Sequence, residues 1–281
     1  MNKVLQRILE DVEYNVPYNS VTPFYRSFTP YQPYRQFGTA CVWQSYACKL
    51  AAEKEGYRAW LARCNRHLAA LVEADGDTFL LDPYLLPTVP VSMRDVAASP
   101  QGLQVPAFPI CQTDQGPTES YLHVRWDEAG ERLRLTYYRY LPRERRHQAK
   151  NRFRLELDHP IDALPKWDQI PASFRELLYH PEQKTLSVRT LNPATQSLTQ
   201  LSYPVSEFRS RSIARERLQI CTNDGTTLTW DSDGPFLVEL EQMAAVLGCT
   251  TDNLIDFILG GVDVYERNAP SASDCRLRNA A

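Results

Sequence analysis

Glycine is scarce in this chain, 11 of 281 residues, and histidine scarcer at 5. The Gly260-Gly261 pair and the "NDGT" stretch read as a helix stop and a turn, and neither has the strand-to-helix setting of a phosphate loop. The histidines are scattered and no CxxC pair occurs, which argues against a structural zinc site. The seven cysteines are an odd number, so a disulfide framework is not expected and a reducing cytoplasm is the expected location. No stretch approaches the roughly 18 apolar residues that span a bilayer. The opening "MNKVLQRILEDVEY" breaks its apolar run with Gln6, Arg7, Glu10 and Asp11, unlike a signal peptide. A net charge of −3 gives no global field for nucleic acid or an anionic membrane, and neither is expected as a partner. Repeats and low-complexity blocks are absent as well.

What is present is an ordinary globular composition, 43% hydrophobic and 23% charged, enriched in tyrosine (15) and proline (20). That enrichment points to turns and strand edges rather than long helices. Val4, Leu5, Ile8, Leu9 and Val12 mark one face of a first helix. The Pro- and Tyr-rich connection after it is expected to be extended or turned, because each X-Pro step resists helix. A second helix is expected over Val42–Glu55, stopped by Gly56. "YRAWLARC" and "HLAALVEADGDTFLLDPYL" then read as strands, the latter two joined by a hairpin turn at "ADGD". Residues 94–120 look like a long surface crossing. Three more strand pairs follow, at "YLHVRWDEAGERLRLTYYRYL", "KTLSVRTLNPATQSLTQLSYPV" and "RLQICTNDGTTLTWDS". Two glycine-ended helices, "PFLVELEQMAAVLG" and "TDNLIDFILGG", close the chain before a polar tail. The expected units are a helical segment over 1–56, a β-rich domain over 57–190, an α/β lid over 191–264 and a disordered tail over 265–281.

One constellation carries chemistry. Cys41 stands after the turn residue Gly38 at the start of the second helix, where unpaired N–H groups and the helix dipole favour a thiolate. His67 opens the first strong strand and Asp82 closes the next. A hairpin brings those two ends together, giving a nucleophile, a base and a group that fixes the base's tautomer. Asp82 is the odd polar residue at the end of the buried run "FLL", whereas Asp75 and Asp77 are turn formers. Cys48 and Cys64 read as packing residues, and His123, His147, His159 and His180 as surface or strand residues.

"GTAC" opening a helix, "RHLAALV", "FLLDPYLLPTVP" and the fifteen-residue spacing from His67 to Asp82 resemble the arylamine N-acetyltransferase family, within the transglutaminase-like cysteine superfamily. "VPYNSV" looks like that family's Pro-Phe-Glu-Asn segment. In layout the resemblance covers roughly residues 1 to 260, and its specific motifs lie in 16 to 90. Phe37-Gly38-Thr39-Ala40 stands in place of the family's Arg-Gly-Gly, Trp43 where an acidic residue is expected, and Pro83 and Tyr84 where small residues follow the aspartate. The resemblance implies an α+β fold: an N-terminal helical bundle around a cysteine-protease-like core, a central antiparallel β-barrel-like domain and a C-terminal α/β lid. It further implies ping-pong acyl transfer through a Cys41–His67–Asp82 triad, with no metal and no permanently bound cofactor. The donor would be an acyl-CoA or the phosphopantetheine thioester of an acyl carrier protein, the latter as in amide synthases, and the acceptor a small-molecule amine. Trp43, Tyr84, Tyr46 and Phe37 are candidates for the acyl site. Arg143, Arg145 and Arg146, with Lys150, Arg152 and Arg154 further along "RERRHQAKNRFR", are either a solvated face or a docking patch for donor phosphates or a carrier protein. A transglutaminase-like amidase or peptidase, or a catalytically silent binding protein of the same fold, remain alternatives at this stage.

Overall fold

The computed structural model describes residues 2–64, 67–127, 129–165, 178–179, 183–205, 213–230 and 234–269. Its first helix, α1 (Lys3–Asn15), is capped by Asn2, whose side chain accepts from the N–H groups of Val4 and Leu5. The 3.6-residue period of Leu5, Ile8, Leu9 and Val12 gives α1 one apolar face. That face packs with Cys48 and Ala52 of α3 (Cys41–Lys54) onto β2 (Arg58–Cys64), β3 (His67–Ala74) and β4 (Asp77–Leu81). The β3–β4 hairpin turns at Asp75 and Gly76, both with positive φ, as the "ADGD" signal requires.

Beyond β4, the short β5 (Val91–Ser92) leads into helix α4 (Met93–Ala97). Then follow β6 (Leu103–Thr113), β7 (Gly116–Trp126), β8 (Arg132–Leu141) and β9 (Arg146–Ile161). The eight strands form one antiparallel sheet in the order β5-β4-β3-β2-β9-β8-β7-β6. It curls nearly shut: Pro87 bridges Ala107, Thr88 N–H donates to Pro106 (2.8 Å) and Phe108 N–H to Leu86 (2.9 Å). Alternate residues of β7 and β8, such as Leu122, Val124, Leu133 and Leu135, fill the interior. A second sheet has the order β1 (Tyr18–Asn19), β10 (Thr185–Leu191), β11 (Leu198–Pro204), β12 (Gln219–Cys221) and β13 (Thr227–Thr229). Helices α2 (Thr22–Phe28), α5 (Pro235–Val246) and α6 (Thr251–Asn268) share one core with it. Among the described residues no single helix is long and apolar enough to cross a membrane; α5 and α6 pass that test only as a pair bent by 92°.

The structure differs from the sequence-based expectation in four places. The Pro-rich connection contains α2, because Pro23 occupies the first turn, where a missing N–H costs nothing. Residues 94–120 are not a surface crossing but α4 and two long strands. Pro106 and Pro109 are tolerated because β6 pairs on one side only along most of its length. Gly260 and Gly261 do not end a helix; they lie inside α6, where a Cβ would collide with the Tyr25 hydroxyl of α2 and with Val21 just before it. Helix α6 therefore runs past 264 to Asn268, and the rest of the expected tail (270–281) lies outside the described residues. β10, on the barrel side of the expected boundary at 190, pairs instead with β11 in the second sheet.

One residue of α1 breaks the apolar pattern. Glu13 is 4% exposed, and neither of its carboxylate oxygens has a hydrogen-bond partner among the described residues. Burial pushes its pKa well above the ordinary value of 4.5; Glu10 and Asp82 add to the rise and Arg189 opposes it. Since the unfolded chain releases this proton more readily, Glu13 contributes most to stability below about pH 4.5 and progressively less as pH rises. Glu13→Gln is therefore expected to stabilise the protein at pH 8, by on the order of 1 kcal/mol or about 2–4 °C in Tm. At pH 4 it should leave the melting temperature nearly unchanged. Thermal melts at the two pH values check this, and equal shifts at both would contradict a protonated Glu13.

Candidate active site

Cys41 is placed by a tightly fixed turn. Arg35–Phe37 form a single 3-10 turn, closed where Gly38 N–H donates to Arg35 (2.9 Å). Gly38 has φ 71°, and a Cβ there would run into the carbonyl of Pro17, so glycine alone fits. Thr39 N–H donates to Pro17 and Asn19 N–H to Thr39, both at 2.9 Å, which lays the segment along β1. The Asn19 side chain donates to the Phe37 carbonyl at 2.5 Å and accepts from Val21 and Thr22. Helix α3 then starts at Cys41, and Ala40 supplies no side-chain cap to its first N–H groups. Two bonds fix the helix: Gln44 Nε2 donates to Val16 (2.7 Å) and Ser45 Oγ to Leu68 (2.7 Å), one residue beyond His67.

His67 Nε2 lies 2.7 Å from Asp82 Oδ2, with both side chains fully buried. The ring stacks on Phe153 of β9, with centroids 4.2 Å apart and planes at 21°. Nδ1 has no hydrogen-bond partner and is the ring atom left for Cys41. Burial alone pushes the imidazole pKa down. The charge and hydrogen bond of Asp82, helped by the Cys41 sulfur, outweigh it and raise the pKa to about 10. His67 therefore carries its proton across neutral pH, a proton held between a carboxylate and a sulfur.

Cys41 and His67 open into one cavity of about 670 Å³. Tyr18, Trp43, Tyr84 and Phe153 supply aromatic wall, and Arg63, Lys150 and Arg152 supply cations. Of the sequence candidates, Trp43 and Tyr84 line this cavity. Tyr46 lies outside its lining, 6.0 Å from the Trp43 ring. Phe37 is buried in the other core, stacked on Phe257 of α6 at 4.2 Å. Arg143 (to Asp224, 3.4 Å), Arg145 (to Asp114, 3.7 Å) and Arg146 (to Glu144) are each paired with a carboxylate and do not line the cavity. Cys64, read as packing, lines the cavity. Sequence reasoning overlooked Tyr18 and Phe153, although Tyr18 sits inside the quoted "VPYNSV" segment. Among the described residues no group of three His, Cys, Asp or Glu side chains could hold a metal.

These features define an α+β fold in which a helix-borne cysteine faces an antiparallel barrel. More particularly, it is the fold of the arylamine N-acetyltransferases. The enzyme from Mycobacterium abscessus superposes with a TM-score of 0.52 over 94% of this chain and 89% of its own, at 13% identity. The one from Salmonella typhimurium gives 0.48 over 89% of each chain at 12% identity. An arylamine N-acetyltransferase from Bacillus cereus, described as having a Cys-His-Glu catalytic triad, gives 0.48 over 86% of this chain and 89% of its own at 11% identity. No family profile matches the sequence, and no curated protein matches it.

Proposed function

We propose that this protein is a cysteine acyltransferase that moves an acyl group from a thioester to an amine, with Cys41, His67 and Asp82 as its triad. The observation that carries this reading is the fully buried His67–Asp82 pair at 2.7 Å, opening into the same cavity as the helix-start Cys41. The Cys41 thiolate, held as an ion pair with the protonated His67, attacks the thioester carbonyl. Helix-start N–H groups stabilise the oxyanion. The C–S bond to the donor then breaks, and His67 returns the proton to the departing thiolate, leaving an acyl-Cys41 enzyme. In the second half, the neutral His67 takes a proton from the attacking amine, and the Cys41 sulfur leaves as a thiolate as the amide is released, which restores the ion pair. A cavity of about 670 Å³ far exceeds an acetyl group and favours a larger, apolar acyl chain or acceptor.

Intact-mass measurement after incubation with acetyl-CoA, octanoyl-CoA and an acylated carrier protein tests the reading. One acyl group per chain, mapped to Cys41 and discharged by an added arylamine, is the expected result. No adduct from any of the three thioesters would overturn it, and an adduct discharged only by water would turn the assignment toward hydrolysis.

A further inference from the structure

Arg189 does not line the cavity, yet it holds two of its walls. It lies on β10 directly opposite Tyr18 of β1. Its guanidinium carbon is 5.0 Å from the Tyr18 ring centroid and 4.7 Å from that of Tyr84, and it donates to the Tyr84 carbonyl at 2.8 Å. The two rings meet edge to face at 4.8 Å. Tyr84 follows the triad carboxylate by two residues, in a turn closed by Leu85 N–H donating to the Asp82 carbonyl (3.1 Å). Its hydroxyl accepts from Asn151 (3.3 Å), and its ring stands 5.4 Å from His67. A continuous chain of contacts thus joins the second sheet to the imidazole in the barrel. Among the described residues Arg189 forms no ion pair within 4.0 Å, and the carboxyl that senses its charge, Glu13, is the one whose pKa burial raises. Its planar group is used on ring faces and a carbonyl, a geometry that an ammonium does not reproduce.

We propose that Arg189 is a positioning residue that sets acyl-chain selectivity: by clamping Tyr18 and Tyr84 it holds their rings as a fixed wall of the acyl-binding end beside Cys41. This inference rests on the acyl-transfer reading of the same cavity. Long acyl chains meet that wall and acetyl barely does, so loosening the clamp penalises long chains selectively.

The test compares kcat/KM for p-nitrophenyl acetate, butyrate, hexanoate and octanoate in wild type, Arg189→Met and Arg189→Lys, alongside Cys41 alkylation by iodoacetamide. The Met variant is expected to lose about 10-fold on the best long ester while acetate and iodoacetamide stay within about twofold. The Lys variant should behave like Met, because it restores charge without the ring contacts. Tyr84→Leu removes one of the two gripped rings without touching β10; it should cost more on octanoate than on acetate, and it serves if the Arg189 variants fail to fold. Unchanged ester profiles in a wild-type-active background would overturn the inference alone, as would a parallel loss across all esters and iodoacetamide. A wild type that no ester or thioester acylates would overturn the acyl-transfer reading and this inference with it.

Discussion

His67→Ala is expected to slow acylation of Cys41 by about 10⁴-fold or more and to erase its selectivity toward iodoacetamide. In the wild type the imidazole keeps its proton to about pH 10, so the partner that stabilises charge on the Cys41 sulfur persists across the neutral range. Among the described thiols, burial pushes Cys48, Cys111 and Cys249 up, disfavouring their reactive form. Cys64 is the sharpest internal control, since it lines the same cavity. Peptide mapping after brief labelling at pH 6 should find the label on Cys41 ahead of Cys64 and ahead of free cysteine. In His67→Ala that lead should disappear. A wild-type Cys41 no faster than Cys64 would remove the enzyme reading and leave a binding scaffold.

The positions of Cys41, His67 and Asp82 were legible in the sequence because each sits at a local signal: a turn into a helix, the start of one strand, the end of the next. The "ADGD" turn sets the β3–β4 register, and that register alone brings His67 beside Asp82. Strands β2, β3, β4, β8 and most of β7, with the terminal helices, were legible for the same reason, local periodicity; β6, read as a surface crossing, and β9, read only as a basic run, were not. What was not legible depends on contacts between distant segments. Gly260 and Gly261 look like a helix stop until α2 is known to press Tyr25 and Val21 against them. Phe37, four residues before Cys41, turns away because its carbonyl is held by Asn19 while its ring finds Phe257, far along the chain. The basic run divides along its own strand, and the sequence could not say which end meets the cavity. Arg143, Arg145 and Arg146 sit at the entry to β9, whereas Lys150, Arg152 and Phe153 line the cavity, about 13–23 Å beyond Arg146 at strand rise. Arg189 had no local signal at all, because its partners lie on two other chain segments.

Asp82→Asn keeps the size of the side chain and removes its charge, and it is expected to lower acyl transfer by about 10⁴-fold. In the wild type, burial and Asp82 pull the imidazole pKa in opposite directions, and Asp82 wins. With the charge gone, burial acts nearly alone and the pKa falls below the ordinary 6.5, leaving a neutral ring that no longer supports a charged sulfur. The sign carries over to stability. In the wild type the contribution of His67 is fully present below about pH 6.5 and fades as pH climbs toward about 10. In the variant the folded state resists protonation, so stability is lost as pH drops through the ordinary histidine range. The gap in melting temperature between the two proteins should therefore be wider at pH 5.5 than at pH 9. Thermal melts at both pH values, with acylation rates from the same preparations, check the two halves together. A variant within about 10-fold of wild-type rate, with a gap independent of pH, would show that the charge of Asp82 does not govern the His67 proton.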